Sequence, residues 1–213
     1  MVQKRGLSKE IIVNHARLIL ESRGLEKLTI RILAKELEVM PSALYNHFSS
    51  KQELIIALQA YYLHPDNQQH PIDYQAKTWQ QFLISLATSS RLEFTERPYV
   101  LELFATHSSE SEQSTIKFEK YLETMHNHGF SLLHAGQISH TIYTYIVGFC
   151  NFENNVRKNN KSNVEEFKPN PQIQKYPLTN EFMTTNGWNS ERDYQFGLDV
   201  LLEGFTKYCH ANN

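Results

Sequence analysis

The sequence predicts an all-α fold, and three observations carry that prediction. Apolar residues recur at the three-and-four spacing of amphipathic helices along most of the chain. Residues that start and stop helices bracket those stretches. Gly and Pro number only 8 and 7 among 213 residues, well below the roughly 12% of average usage. That is too few turn residues for an all-β sandwich. Hydrophobic residues make up 40% and aromatics 12%, enough for a core, so the chain is not of the disordered class.

The elements follow in order. Ser8 caps a first helix that carries Ile11, Ile12, Ala16, Ile19 and Leu20 on one side and stops at Gly24. Thr29 caps a second helix, and Leu28 and Leu33 occupy the two positions of a hydrophobic staple. Ile30, Leu33, Ala34 and Leu37 form its buried stripe, and it ends near Leu37 or Glu38. Glu38-Val39-Met40 is a tight turn. Pro41, with its φ already set, opens a short third helix to about Phe48, with Leu44 and Phe48 inward. Ser50-Lys51-Gln52-Glu53 is a capping box that starts a fourth helix through Leu54, Ile55, Leu58 and Tyr62. That helix stops before Pro65, and His64 to Pro71 reads as a linker.

Beyond the linker, helices are predicted at about 73–91, 98–108, 112–127, 132–154 and 191–210, with Gly129 breaking the chain. The stretch 155–190 is rich in Asn, Lys and Pro and reads as a long mobile loop with room for one short helix. The chain therefore divides into a head, 1–62, and a larger helical domain, 73–213.

Charge separates the same two parts. Residues 1–51 hold nine Lys/Arg and five Glu, a balance of +4, whereas the whole chain carries −2 and the remainder therefore −6. A basic head on an acidic body fits a DNA-binding domain joined to something else. The longest nearly apolar stretch, Ile142 to Cys150, is far short of the roughly 20 residues of a membrane span. The N-terminus leads into a polar helical pattern rather than an apolar signal region. Two scattered cysteines, Cys150 and Cys209, make neither a disulfide framework nor a zinc site. The expectation is a soluble, cytoplasmic, reduced protein without a membrane partner.

Residues 29–48 read as helix, three-residue turn, helix, the arrangement in which the second helix enters the DNA major groove. With Leu44 and Phe48 used for packing, Ser42, Ala43, Tyr45, Asn46 and His47 face outwards. Asn46 can pair with an adenine edge, and Ala43 can touch a thymine methyl. Ser42 and Tyr45 can bond phosphate or base, and His47 and Lys51 are placed for phosphate. Arg31, in the first turn of the second helix, can reach backbone or a flanking base, and Pro41 completes the contact set at the helix start.

Leu28-Thr29-Ile30-Arg31, Leu33-Ala34, Leu37-Glu38-Val39, Leu44-Tyr45-Asn46-His47-Phe48, Lys51 and Leu54 resemble the N-terminal signature of the tetracycline-repressor (TetR) family of dimeric, all-α transcriptional regulators. Glu38 departs from that pattern, which has Gly in the turn. Trp79-Gln80-Gln81-Phe82-Leu83, His128-Gly129-Phe130-Ser131-Leu132 and Tyr194-Gln195-Phe196-Gly197-Leu198 with Leu201-Leu202-Glu203-Gly204-Phe205 resemble the C-terminal domain of the tetracycline repressors proper. The resemblance implies a homodimer built on the last two long helices and a ligand pocket in each core. Residues 191–210 support a partner independently. Tyr194, Phe196, Leu198, Val200, Leu201, Leu202, Phe205 and Tyr208 cover most of that helix, and Gly197 and Gly204 would allow close approach.

In the tetracycline repressors the drug arrives with magnesium, held by a His and a Glu. The resemblance places those positions on Phe104 and Phe152, which cannot bind metal. It implies an apolar or aromatic effector, with Leu86, Ser90, Phe104, His107, Tyr121, Thr144 and Phe152 as pocket walls. His107 and Glu153 lie close to the two former ligand positions. No cofactor, metal site or catalytic residue is expected. The function expected is a ligand-responsive repressor that binds double-stranded operator DNA. The alternative is a helical ligand carrier or enzyme whose head only resembles a DNA-binding unit. Neither a Gly-x-Ser-x-Gly element, nor a phosphate loop, nor an HExxH motif supports it.

Overall fold

The computed structural model describes residues 6–106, 110–159, 171–185 and 187–209. Among the described residues there are ten α-helices: α1 Lys9–Arg23, α2 Ile30–Glu36, α3 Pro41–Tyr45, α4 Lys51–Leu63, α5 Trp79–Glu96, α6 Pro98–Ala105, α7 Glu112–Asn127, α8 Leu132–Asn159, α9 Pro177–Thr185 and α10 Ser190–Phe205. The all-α expectation holds. Two compact units form, one of residues 1–71 with 92–121 and one of 72–91 with 122–213.

In the first unit the caps decide the element boundaries. The Oγ of Ser8 accepts from the Ile11 N–H, and Gly24 ends α1 at φ 79°. Thr29 accepts from the Ile32 N–H. α2 then closes in a Schellman arrangement: Glu38 N–H donates to the Lys35 carbonyl (3.2 Å) and Val39 N–H to the Ala34 carbonyl (3.0 Å). That motif needs a left-handed residue, and Glu38 takes the position at φ 54°. α3 ends at Tyr45, earlier than expected, because His47 and Phe48 N–H groups both turn back to the Leu44 carbonyl. Ser50 caps α4 as predicted by accepting from the Glu53 N–H. The returning half of the box differs: Glu53 accepts from the Ser49 backbone and hydroxyl rather than from Ser50.

The packing groups residues 92–121 with the head, whereas the sequence division leaves them with the larger domain. Two bonds account for this. The fully buried Gln59 of α4 donates to the Leu103 carbonyl of α6 (3.2 Å), and the Leu25 N–H donates to the Glu102 carboxylate (3.5 Å). Val100, Leu101 and Leu103 are buried alongside.

In the second unit, α5 starts at Trp79 rather than near residue 73. Asp73 accepts from the Gln75 N–H, which spends the preceding stretch in a turn, and Thr78 Oγ1 takes the Gln81 N–H. α8 runs on to Asn159, into the expected loop, and among the described residues α9 is the one α-helix between α8 and α10. Trp79 and Phe130 meet edge to face at 5.3 Å. Tyr194 of α10 donates to the Ala87 carbonyl of α5 (3.1 Å). Tyr145 of α8 donates to the Tyr194 carbonyl (2.5 Å). Gly197 makes room for Tyr145 within the chain: an added Cβ would lie 2.5 Å from its hydroxyl. Its close approach therefore serves this chain, whereas Gly204 meets nothing within 4 Å.

Candidate nucleic-acid interface

α2, the 37–40 turn and α3 form the helix-turn-helix. Leu33, Ala34, Leu44 and Phe48 are buried and fix the two helices against α1 and α4. That orientation turns the opposite side of α3 outwards. Ser42, Asn46 and Tyr45 are exposed, Tyr45 by 53%, while Pro41, Ala43 and His47 are half-buried. Arg31 opens α2 and Lys51 opens α4, both exposed.

The polar bonding around this surface is uneven. Among the described residues, the side chains of Arg31, Ser42, Tyr45, Asn46, His47 and Lys51 bond no other group of the chain. Three basic groups of the same unit are engaged. Lys9 pairs with Glu53 (3.2 Å), Arg17 with Glu21 (2.8 Å) and Arg23 with Glu36 (2.9 Å). Glu53 is held below the ordinary carboxylate range by the Ser49 backbone N–H and by Lys9. The groove side of α3 thus keeps its donors and acceptors unspent.

The seven residues predicted to line a pocket distribute differently. Leu86 and Ser90 are half-buried on α5, in the second unit. Phe104 is half-buried on α6 and Tyr121 is buried on α7, stacked on Phe118, both in the first unit. His107 lies outside the described residues. Thr144 is exposed, and Phe152 is 58% exposed, so in the single chain these two face outwards rather than lining an interior. Helix pitch explains this: the next residue, Glu153, takes the inward position and is 2% exposed. Its carboxylate accepts from Arg91 (2.8 and 3.3 Å) and from the Ser190 hydroxyl. Arg91 also pairs with Glu191 (2.7 Å) and lies over the Tyr194 ring at 4.2 Å. Glu153 is therefore engaged in an ion pair. Among the described residues no cluster of three His, Cys, Asp or Glu could hold a metal ion.

His126 and the two cysteines have contacts within the fold. His126 Nδ1 lies 3.2 Å from the Phe130 carbonyl at the end of α7. Cys150 is buried in the core, and burial pushes its thiol up to about 12. Cys209 donates to the His128 carbonyl.

Residues 71–209 match the family model described as "Tetracyclin repressor-like, C-terminal domain", and residues 12–58 match that of the "Bacterial regulatory proteins, tetR family". The chain belongs to the TetR family.

The class E tetracycline repressor of Escherichia coli is 28% identical over 201 residues, 94% of this chain and 91% of that one. Streptomyces coelicolor ActR in complex with actinorhodin superposes with a TM-score of 0.72 at 19% identity, covering 94% and 97% of the two chains. BioQ with its double-stranded DNA operator superposes at 0.64 with 24% identity, covering 93% and 98%. These structural likenesses concern the fold. Family membership makes the chain a ligand-responsive DNA-binding transcriptional regulator and favours that reading over the carrier or enzyme. Within the TetR frame, Glu38 is the departure already visible in sequence, and the backbone tolerates it at a positive φ. Met40, 73% exposed beside α3, was not among the predicted contacts. Its signal was an apolar residue in a turn with no core position to fill. No helix among the described residues is long and apolar enough to cross a membrane.

Proposed function

We propose that this TetR-family regulator is a cytoplasmic homodimeric repressor. It holds a palindromic operator and leaves it on binding a small, largely apolar or aromatic effector. The observation that carries the reading is an unspent polar surface on and beside α3: the side chains of Arg31, Ser42, Tyr45, Asn46, His47 and Lys51 have no partner within the described chain. Together with Pro41 and Ala43 they form the DNA-contact set. Asn46 reads an adenine edge, and Lys51 holds phosphate at the start of α4. Residues 1–62 then read DNA, and residues 73–213 dimerise and take the effector.

The dimer reading rests on the outer faces of α8 and α10. Phe196 is 71% exposed, and Val200 follows one turn on. Leu133, Thr144, Gly148 and Phe152 share an exposed stripe of α8 at spacings of 11, 4 and 4. A second copy packed on both stripes would bury them and bring Thr144 and Phe152 into an interior. Two recognition helices would then meet successive major grooves roughly 34–36 Å apart. The effector reading rests on Phe104 and Phe152, which stand where the family's magnesium ligands are expected. Leu86, Ser90, His107, Tyr121 and Thr144 complete the proposed walls. An effector that prefers the form unable to span both grooves weakens DNA binding, and DNA weakens effector binding by the same factor.

Binding to bulk duplex DNA tests this at its base. Affinity should fall steeply as salt rises. Lys51→Ala should weaken binding to all sequences and reduce the salt slope by about one. Asn46→Ala should relax base preference at one position of each half-site. Salt-independent binding, or an equal loss from Asn46→Ala on every sequence, would contradict the assignment.

A further inference from the structure

Met40 has a side chain that the fold does not use. At 73% exposure it is the most exposed large apolar residue of residues 6–71. Its backbone carbonyl accepts from the Ala43 N–H (2.9 Å), but its side chain makes no cap where Ser, Thr, Asn or Asp would. It sits between the left-handed Glu38 and Pro41, so the turn geometry delivers it to the start of α3. Its surroundings are the exposed polar groups of the groove face, Ser42, Tyr45 and Asn46. A lone apolar side chain in that setting is too small to dock a second protein. It does continue the DNA-contact set, because the first residues of a recognition helix are those that reach base edges. In the major groove the one apolar group on a base edge is the 5-methyl of thymine. A flexible, polarisable thioether suits such a contact.

We propose that Met40 is a specificity-determining residue that packs on the 5-methyl of one thymine in each operator half-site. This rests on the reading of α3 as the recognition helix. The contact class is a 5-methylpyrimidine, recognised by its methyl group and not by hydrogen bonds. Ala43, half-buried three residues on, is the neighbouring apolar residue of the proposed contact set.

The test uses the full chain and the duplex it selects from a random pool. Each thymine of the half-site is replaced in turn by deoxyuridine, which removes the methyl and leaves the hydrogen-bonding edge unchanged. At one thymine the wild-type protein should lose about fourfold in affinity per half-site, the effect of withdrawing one buried methyl-sized group. Met40→Ala should bind the thymine and uracil duplexes equally at that position and keep the penalties at all others. Met40→Leu, which keeps the apolar bulk, should retain the thymine preference. If wild type and Met40→Ala show the same penalties at every thymine, Met40 is not a reader, although the operator reading stands. If the wild type selects no sequence, the recognition-helix reading fails and this inference fails with it.

Discussion

The helix caps of the first unit and the α5–α8–α10 packing place their polar side chains at opposite ranges. In the first, Ser8, Thr29 and Ser50 each bond a backbone N–H three residues away. In the second, Arg91 reaches Glu153 and Glu191, 62 and 100 residues on, and Tyr194 reaches back 107 residues to Ala87. Local bonds set each helix end before tertiary packing begins, so they leave the rest of the recognition surface uncommitted. Long-range bonds commit every member to one packing, and a deletion leaves a buried partner without its counter-charge. The caps thereby shape a surface that presents groups, while the long-range bonds of the second unit hold one packing.

Five substitutions can break or sharpen that contrast. Arg91→Ala should have the largest effect, a loss of about 3–5 kcal/mol, because it strands a buried Glu153 carboxylate. Chemical denaturation reads the loss, and a change below about 1 kcal/mol would mean the pair is not an organising contact. Gly197→Ala comes next, at about 1–2 kcal/mol, since the new methyl displaces the Tyr145 hydroxyl from the Tyr194 carbonyl. Gly204→Ala is its control. With open space around it in the single chain, it should leave chain stability unharmed and weaken association if a partner covers that face. Ser50→Ala should cost about 1 kcal/mol through the lost cap of α4. Glu38→Gly should have the smallest effect, a gain of up to about 1 kcal/mol, by relieving the positive φ. Thermal melts followed by far-UV circular dichroism resolve both, and a destabilised Glu38→Gly would place Glu38's side chain in a contact of its own.

The same difference in range explains what was legible in the sequence. Ser8, Gly24, Thr29, Pro41 and Ser50 carry their meaning within four residues, and each stands at the helix end predicted for it. The outward set of α3 followed once Leu44 and Phe48 were assigned inward, since helix pitch leaves little choice. Where the reading missed, the deciding bond was either distant or one residue displaced. α3 ends early because one carbonyl, that of Leu44, takes two N–H groups. The bond from Gln59 to Leu103 spans 44 positions and leaves no local signal in the sequence. The inward place of Glu153 on α8 likewise depends on Arg91 of another helix. Periodicity could say that α10 is apolar on most sides. It could not say that Tyr194 and Leu198 face this chain while Phe196 and Val200 face away from it.

The central claim is that the unpartnered face of α3 reads base edges in a two-fold assembly. Selection of bound duplexes from a random pool, with the recovered complex sized in solution, tests it most directly. The expected result is a palindrome whose half-site centres lie one helical turn apart, held by two copies of the chain. Unenriched DNA, with no binding even at low salt, would contradict it and leave α3 a structural element only.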